Sequence, residues 1–207
     1  MKPMTLTKLI FPAVAALTLT LAGCSKPGEP TATTATPAAS PSAAPAATTV
    51  SASSYDLVAN TGKGFTVGSM MSAQPVYVVF EPQCPHCGHL WQASVALQSK
   101  VKFVWIPVAF NNGKNLAQAV TLLSSSTPLE TMTEHEQSLT SGKGGITAMS
   151  AITSEQEQAI KNNSDLLTKL GQDSVPFIVT KNRQTGEIVS HSGAMDTATL
   201  AKFIGVD

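Results

Sequence analysis

Two cysteines three positions apart, Cys84 and Cys87, stand where one hydrophobic pattern gives way to another, and this junction constrains the fold most strongly. The run Val76–Phe80 is apolar, β-branched or aromatic at every position, which predicts a strand buried on both faces. Residues 86–99 instead carry apolar side chains at helical spacing. A strand of this kind belongs to an α/β sheet, so the cysteine pair is expected where a central strand leads into a helix.

Further patterns on either side of the junction extend this prediction. A second apolar run over residues 102–108 completes a strand, helix, strand unit, whose parallel strands are joined by a right-handed crossover. Thr153 and Gln156 predict a capping box, Gly171 a helix stop, and Asp196 the cap of a last helix. The elements expected after the second strand are helices over residues 114–125, 128–139 and 154–170, strands over 176–180 and 187–190, and a helix ending at 204.

The first 24 residues have the order of a bacterial export signal. Lys2 and Lys8 precede an apolar run over residues 9–21, which is too short to predict a membrane span. Leu21-Ala22-Gly23-Cys24 resembles the lipobox of bacterial lipoproteins, in which the cysteine is acylated. Ser25 then favours the outer membrane. An ordinary secretory signal cut near Ala22, with Cys24 left as a free thiol, is the alternative.

Residues 25–54 are predicted to be a disordered tether, because 26 of these 30 residues are Ala, Ser, Thr or Pro and none is aromatic. Residues 55–207 are long enough for one folded domain. The chain has 13 basic and 13 acidic residues. Because these charges cancel, the chain has no net positive charge to attract phosphate backbones, and we expect no binding to nucleic acid.

The position of Cys84 at a helix start favours a thiolate. Unpaired backbone N–H groups and the positive end of the helix dipole stabilise an anion there, and Pro85 suits the first turn because it has no N–H to leave unpaired. His86 is expected to add to this stabilisation. Cysteines in such pairs have pKa values of roughly 3.5 to 7.5 instead of about 8.5. A stable thiolate makes the oxidised pair an oxidant, and Cys87 would resolve the mixed disulfide formed through Cys84.

Other uses of the cysteine pair have weaker support in the sequence. A structural disulfide would close too small a loop to stabilise the fold much. A zinc site would need ligands from His89, His135 and His191, which lack metal-binding spacing. Covalent haem requires a histidine directly after the second cysteine, where Gly88 stands. Copper handling by the thiols and a histidine remains an alternative, and no metal or cofactor apart from the redox-active disulfide is expected.

Over residues 65–206 the chain resembles thioredoxin-fold thiol:disulfide oxidoreductases of the bacterial Dsb group, most of all the catalytic domains of DsbG and DsbC. The resemblance rests on residues 76–91, the helical stretches, and Ser174-Val175-Pro176 before the next strand. It implies an α/β, thioredoxin-like fold with a helical insertion. It also implies that Pro176 is cis beside the cysteine pair and that the backbone of Val175 binds an extended substrate segment.

Three departures from the family pattern refine the expectation. Residues 55–74 are too few for the N-terminal dimerisation domain of DsbG and DsbC, so we expect a monomer. The Cys-Pro-His-Cys pair with Val175 before the proline matches DsbA, which favours an oxidising enzyme. Val78 stands where thioredoxin has a buried carboxylate, so the proton carrier for Cys87 is open. Glu81 is a candidate acid, weighed against its being a solvated loop residue.

The remaining prominent side chains have simpler interpretations. His89, Trp91 and Trp105 are expected on a helix surface or in the core. His135, within Thr-Glu-His-Glu, is expected on a solvated helix face.

Together these features predict a periplasmic, lipid-anchored thiol:disulfide oxidoreductase that acts on protein segments containing cysteines. By resemblance its electrons pass to or from a membrane redox partner of the DsbB or DsbD type, and reduction of sulfenylated cysteines is a related possibility. The alternative is a non-enzymatic binding module, either a chaperone or a metal-handling lipoprotein. In such a protein the cysteine pair would coordinate a metal or form a structural disulfide.

Overall fold

A computed structural model describes residues 48–49, 52–111 and 113–206 of the chain. Its strands are β1 Thr48–Thr49, β2 Phe65–Gly68, β3 Val76–Phe80, β4 Lys102–Pro107, β5 Phe177–Lys181 and β6 Ile188–Ser192. Its helices are α1 Ala52–Thr61, α2 Pro85–Val95, α3 Lys114–Leu123, α4 Pro128–Thr140, α5 Ser154–Lys169 and α6 Thr197–Ile204. The export signal, Cys24 and most of the predicted tether lie outside the described residues.

The described strands form one mixed sheet in the order β1-β6-β5-β3-β4-β2. Strands β3 and β4 are parallel and are connected through α2, which confirms the predicted strand, helix, strand unit. Each of the other neighbouring pairs is antiparallel. Because β3 lies between β4 and β5, Val78 pairs with Trp105 on one side and Ile178 on the other. The helix that carries the cysteine pair therefore leaves from an interior strand of the sheet.

Helices cover both faces of the sheet, as expected for strands that are apolar throughout. On one face, α2 and α6 enclose a core that includes Val78, Phe80, Leu90, Trp91, Phe103, Trp105, Ile178 and Leu200. On the other face, α1 and α5 contribute Val58, Leu166 and Leu167 against Val79, Ile106 and Val179. The rings of Trp91 and Trp105 meet edge to face with centroids 5.1 Å apart, so both tryptophans belong to the core.

The predicted helical insertion consists of α3 and α4, which lie between β4 and α5 in the chain. Ala119 and Val120 of α3 pack on Ile160 of α5. Met132 of α4 is fully buried in the core that also contains Cys87. The insertion is thus packed into the domain and lies beside the end of β3 where the cysteine pair is found.

The predicted helix boundaries agree with the capping contacts. The N–H of Gln156 donates to the Thr153 hydroxyl, and the Gln156 side chain accepts from the Thr153 N–H, which forms the capping box at the start of α5. Asp196 accepts from the N–H of Thr199 at the start of α6. Gly171 follows α5 with a φ of 71°, a conformation that glycine adopts without steric cost.

Three elements were not anticipated from the sequence. Strand β1 lies within the predicted tether, yet it pairs antiparallel with β6 at one edge of the sheet. Strand β2 pairs antiparallel with β4 at the other edge of the sheet, and four residues are too few to establish a clear alternation. Helix α1 begins at Ala52, before the predicted domain start at residue 55. The prediction placed this start too late because Ala52-Ser53-Ser54 has the composition of the tether. Among residues 52–111 and 113–206, no helix is long and apolar enough to cross a bilayer.

Candidate active site

The cysteine pair lies at the expected strand-to-helix junction. Cys84 is the N-cap residue of α2, with extended backbone angles of φ −82° and ψ 115°, and Pro85 occupies the first helical turn. The N–H groups of Cys87 and Gly88 donate to the carbonyl oxygen of Cys84 at 3.1 and 3.3 Å. These bonds close the first turn of the helix around the pair, so both sulfur atoms face the same end of α2.

The two thiols differ in accessibility. Both cysteines are free, with Cys84 partly exposed and Cys87 completely buried in the core on the α2 side of the sheet. A sulfur atom of another molecule can therefore reach Cys84 but not Cys87. This asymmetry is what sequential thiol-disulfide exchange requires, because one sulfur meets the substrate and the other attacks from behind.

The environment of Cys84 stabilises its thiolate and lowers its pKa to about 6. The largest cause is a hydrogen bond from the Cys87 thiol, opposed by partial burial. The backbone N–H groups of Cys87 and His86 at the start of α2 add to the stabilisation, and the positive charge of His86 contributes a smaller part. At neutral pH most Cys84 side chains are consequently anionic.

The environment of Cys87 acts in the opposite direction. Burial raises the pKa of its thiol strongly, and both the hydrogen bond to Cys84 and the charge of that sulfur raise it further. A hydrogen bond from the Glu81 backbone opposes the rise, and the negative charge of Glu136 is the smallest of the causes that raise the pKa. Cys87 thus keeps its proton until some other group removes it.

The segment before β5 lies against the cysteine pair. The peptide bond between Val175 and Pro176 is cis, as the family resemblance implies. The sulfur of Cys84 lies 3.6 Å from the carbonyl oxygen of Val175, to which it can donate a hydrogen bond only in its protonated form. Val175 is partly exposed, while Pro176 is buried and its carbonyl accepts from the N–H of Gly193. The backbone of Val175 therefore borders the accessible sulfur.

Two histidines lie on the exposed surface of α2 near the pair. His86, between the cysteines, is exposed, and its ring lies 6.1 Å from that of His89 in an edge-to-face arrangement. His89 is also exposed, which agrees with the surface interpretation. His86 is close enough to affect the Cys84 thiolate but does not restrict access to the sulfur.

The candidate acid Glu81 is not a solvated loop residue. Its side chain is only 6% exposed, and both carboxyl oxygens accept hydrogen bonds, one from the Gln83 N–H at 2.8 Å and the other from the Asn115 amide. Burial raises the pKa of Glu81, and these two donors oppose the rise. The carboxyl of Glu81 thus braces the turn between β3 and Cys84.

The expectation that His135 lies on a solvated helix face is wrong. Its side chain is completely buried. Nε2 donates to the carbonyl oxygen of Pro82 at 2.7 Å, and Nδ1 accepts from the N–H of Ile146 at 3.2 Å. Burial lowers the pKa of His135, so the ring is neutral. Its role is to attach α4 to the turn before Cys84.

A second contact between the insertion and this turn involves two glutamines. Gln118 of α3 is fully buried, and its side-chain oxygen accepts from the amide of Gln83 at 2.5 Å. The Gln118 amide donates to the carbonyl oxygens of Gly144 and Ile146 at 3.0 and 2.9 Å. Both helices of the insertion therefore fix the backbone that leads into the cysteine pair.

Glu136 is a site residue that the sequence interpretation missed. Its side chain is only 5% exposed, and it lies against the backbone of Gly88 in α2. Burial raises its pKa to about 7, and the negative charge of Cys84 contributes. Met132, Glu136 and Leu139 have the spacing of one helix face, and this spacing could have indicated that Glu136 faces the protein interior. The polar Thr-Glu-His-Glu string suggested a solvated face instead.

The histidines considered for a zinc site are not gathered around the cysteines. His89 points to the surface of α2, His191 lies on β6 with its ring 6.3 Å from that of Phe203, and both ring nitrogens of His135 are bonded to backbone groups. In the part of the chain that the structure describes, no group of three or more His, Cys, Asp or Glu side chains is arranged to hold a metal ion.

The chain is similar to known thiol:disulfide interchange proteins. It is 26% identical over 132 residues to DsbG of Escherichia coli K12 and 26% identical over 133 residues to DsbG of Pseudomonas aeruginosa, each match covering 63% of this chain. The matches cover 52% and 50% of those proteins, so the chain spans about half the length of these relatives. No family model matches the sequence.

Several solved structures have the same fold as this chain. The catalytic domain of Proteus mirabilis ScsC superimposes with a TM-score of 0.53 at 18% identity, covering 74% of this chain and 93% of that one. A periplasmic thioredoxin-like protein from Salmonella enterica gives 0.55 at 14% identity, covering 76% and 97%. These values establish the fold. The chain therefore has the thioredoxin-like fold of these structures and is similar in sequence to DsbG.

Proposed function

We propose that the chain is a thiol:disulfide oxidoreductase that exchanges disulfides with exported proteins through Cys84 and Cys87. The observation that carries the proposal is the asymmetry of the pair. Cys84 is accessible and has a pKa of about 6, whereas Cys87 is completely buried one helical turn further on. The DsbG relatives are named thiol:disulfide interchange proteins, which supports the same activity here.

The oxidising direction starts from a disulfide between the two cysteines. A client thiolate attacks the sulfur of Cys84, the bond to Cys87 breaks, and Cys87 leaves with the electron pair and takes up a proton. A second client thiolate then attacks the client sulfur of the mixed disulfide, and Cys84 leaves as a thiolate. The client loses two electrons and two protons. The enzyme gains both electrons and one proton, on Cys87, Cys84 remains a thiolate, and the other proton goes to solvent. The low pKa of Cys84 favours this direction because a stable leaving thiolate stabilises the reduced enzyme.

Client binding involves the backbone beside the cysteine pair. An extended client segment would pair with the backbone of Val175, whose carbonyl oxygen lies 3.6 Å from the Cys84 sulfur. Pro176 fixes the direction of that segment. Main-chain recognition of this kind suits an enzyme with many clients, because every extended segment offers the same N–H and C=O groups.

The proposed location is the periplasm, with the domain attached to a membrane through acylated Cys24 and acting as a monomer. The outer membrane is the destination that Ser25 favours. Because β1 already pairs with β6, the tether is limited to residues 25–47, and these 23 residues would span up to roughly 70 Å at about 3.1 Å per residue. A membrane protein of the DsbB or DsbD type would restore the redox state of the pair, so that no separate cofactor is needed.

The activity is tested with purified chain and a peptide that contains two cysteines. The oxidised protein should convert the dithiol peptide to its disulfide, and the reduced protein should reduce insulin. Cys87→Ser should accumulate a mixed disulfide with the client, because the resolving sulfur is absent. Cys84→Ser should form none. Wild-type protein that exchanges no disulfide in either direction would exclude the proposal and favour a binding module.

The lipid anchor needs a separate test. Cells that express the chain and are fed a labelled fatty acid should incorporate the label into the wild type but not into Cys24→Ala, which should also leave the membrane fraction. Fractionation of the two bacterial membranes then reports the destination. An unlabelled wild-type protein in the soluble periplasmic fraction would show that the signal is an ordinary secretory one.

A further inference from the structure

We propose that Glu136, on helix α4 of the insertion, accepts the proton of Cys87 when this thiol attacks the mixed disulfide. This inference rests on the proposed function. It assigns a proton acceptor for Cys87 in a chain that has Val78 at the position of the buried carboxylate of thioredoxin. Three features of the structure support it: the close approach of α4 to Gly88, the lack of any partner for the carboxyl, and the path from the carboxyl to solvent.

The first feature is the contact between Glu136 and α2. Gly88 directly follows Cys87, and a Cβ atom added to Gly88 would overlap Oε2 of Glu136. The carboxyl therefore occupies the space that any other residue at position 88 would fill. Because Gly88 lies in the first turns of α2, this position brings the carboxyl to the backbone next to the buried sulfur.

The second feature is that the carboxyl belongs to a largely buried side chain and has no hydrogen-bond partner within the described protein. Glu136 is 5% exposed, and among the contacts of residues 52–111 and 113–206 no hydrogen bond or ion pair involves its carboxyl oxygens. An ionised carboxylate in such a place is costly, so it binds a proton readily. Its pKa of about 7 follows from this burial and allows the group to give or take a proton near neutrality.

The third feature is a path to water. Two hollows run along the junction of α2 and α4, with volumes of about 560 and 210 Å³. Glu136 lines both of them, with Trp91 and Thr140 in the larger one and Pro85 and His89 in the smaller one. A proton taken from the buried thiol can therefore leave through Glu136 to solvent without passing through the core.

Glu81, the acid that the sequence suggested, is less suited to this task. Each of its carboxyl oxygens already accepts a hydrogen bond, from Gln83 and from Asn115. The negative charge that raises the pKa of Cys87, apart from that of Cys84, belongs to Glu136. Glu81 therefore holds the turn, and Glu136 is the acid with unoccupied oxygens.

The charge of Cys84 determines the stage of the reaction at which Glu136 can accept a proton. In the reduced enzyme the Cys84 thiolate raises the pKa of Glu136, so the carboxyl tends to keep its proton. In the mixed disulfide Cys84 is neutral, this repulsion is gone, and the pKa of Glu136 falls. The carboxylate is thus available as a base at the stage when Cys87 must lose its proton.

Other titratable groups near Glu136 do not cancel this effect. From α2 they are Cys84, Cys87 and the exposed His89, and from the turn Glu81, whose carboxyl is bonded as described. His135 on α4 is neutral and bonded to Pro82. No lysine or arginine lines either of the two hollows, so no described cation there holds Glu136 in its ionised form.

When the mixed disulfide is resolved, the proton of the Cys87 thiol passes to the carboxylate of Glu136, and the Cys87 thiolate attacks the sulfur of Cys84. The bond between Cys84 and the client sulfur breaks, and the client leaves as a thiolate with the electron pair. The disulfide between Cys84 and Cys87 forms, and Glu136 releases its proton to solvent through the hollows.

The test uses the reduced full chain with Cys24→Ala, so that only the two site cysteines react, and Ellman's reagent as the substrate. The first release of the coloured aryl thiolate reports attack by Cys84, and the second reports attack by Cys87 on the mixed disulfide. In wild-type protein the second rate should rise with pH to a plateau, with the midpoint of the rise at or below about pH 7, as Glu136 becomes ionised.

Glu136→Gln keeps the shape of the side chain and removes its basicity. Its second rate should be at least about tenfold lower at pH 7, with no plateau and a rise of about tenfold per pH unit as hydroxide replaces the carboxylate. Glu136→Asp should restore part of the rate. Gly88→Ala, which displaces the carboxyl, should slow the same step. The first rate should persist in all three variants, which also shows that the site is folded.

The matched control is Glu134→Gln, since Glu134 is exposed on the same helix. It should behave as the wild type in both steps. An unchanged second rate and pH profile in Glu136→Gln would overturn the inference while leaving the proposed function intact. If the wild type releases no second thiolate, the proposed function itself fails, and the two failures are thereby distinguished.

Discussion

The imidazole of His135 donates from Nε2 to the carbonyl oxygen of Pro82 at 2.7 Å, so a helix of the insertion directly holds the turn that carries Cys84. The other ring nitrogen accepts from the N–H of Ile146, which leaves no polar atom of the ring unpaired. The turn itself is closed by the bond from the Cys84 N–H to the Glu81 carbonyl at 3.0 Å. The position of Cys84 thus depends on α4 as well as on β3 and α2.

Replacing His135 by leucine should destabilise the protein. The substitution leaves the Pro82 carbonyl and the Ile146 N–H buried without partners, and we expect a loss of about 2–4 kcal/mol in the free energy of unfolding. Urea denaturation of the purified protein measures it. His89→Leu, on the exposed face of α2, should change the value by less than about 0.5 kcal/mol. Equal losses for both variants would contradict the buried role of His135.

The contribution of His135 should also depend on pH. Its pKa in the folded protein is lowered by burial, whereas in the unfolded chain it is near 6.5. The unfolded state therefore takes up a proton first on acidification, so the stabilisation is complete above about pH 6.5 and is lost as the pH falls through the folded pKa. The stability difference between wild type and His135→Leu should shrink between pH 7.5 and pH 5. A constant difference would show that the pKa of His135 is the same in the folded and unfolded states, and a difference that grows on acidification would show that the folded ring carries a proton.

Asn163 on α5, on the face of the sheet away from α2, connects the loop before β2 with the last residue of β4. Its fully buried amide donates to the carbonyl oxygens of Lys63 and Pro107, both at 2.8 Å, and accepts from the N–H of Lys63 at 2.9 Å. Asn163→Ala should therefore cost about 2–4 kcal/mol in the free energy of unfolding. The exposed neighbour Asn162 is the matched control, and its alanine variant should lie within about 0.5 kcal/mol of wild type.

His86 should tune the acidity of Cys84 without creating it. Its positive charge is the smallest of the causes that lower the Cys84 pKa, whereas the hydrogen bond from Cys87 is the largest. His86→Ala should raise the Cys84 pKa by less than about one unit. Ultraviolet titration of the reduced thiol measures the shift, with His89→Ala expected to give none. A pKa restored to the ordinary 9.0 by His86→Ala would assign the acidity to histidine and not to the helix start.

Local patterns were sufficient to predict the elements around the cysteine pair. The apolar run of β3, the capping residues Thr153 and Asp196 and the stop at Gly171 are each determined by neighbouring residues, and the structure has them where the sequence indicated. The parallel pairing of β3 with β4 follows from the strand, helix, strand unit. Helix α1 and the edge strands β1 and β2 have weak patterns and were missed.

The buried polar residues could not be predicted in the same way. His135 belongs to a polar string, and its partners Pro82 and Ile146 are separated from it by 53 and 11 residues in the chain. Glu81 is likewise bonded to Asn115, which is 34 residues away. A polar side chain is stable in the core when distant groups satisfy it, and sequence periodicity contains no information about those groups.

The central claim is that the start of α2 and the buried thiol behind it hold Cys84 as a thiolate at neutral pH. The most direct measurement is the ultraviolet thiolate absorbance of the reduced Cys24→Ala protein as a function of pH, with Cys84→Ser as the blank. The account predicts a single transition centred at about pH 6, which the blank lacks. A transition close to the ordinary value of 9.0 would contradict it.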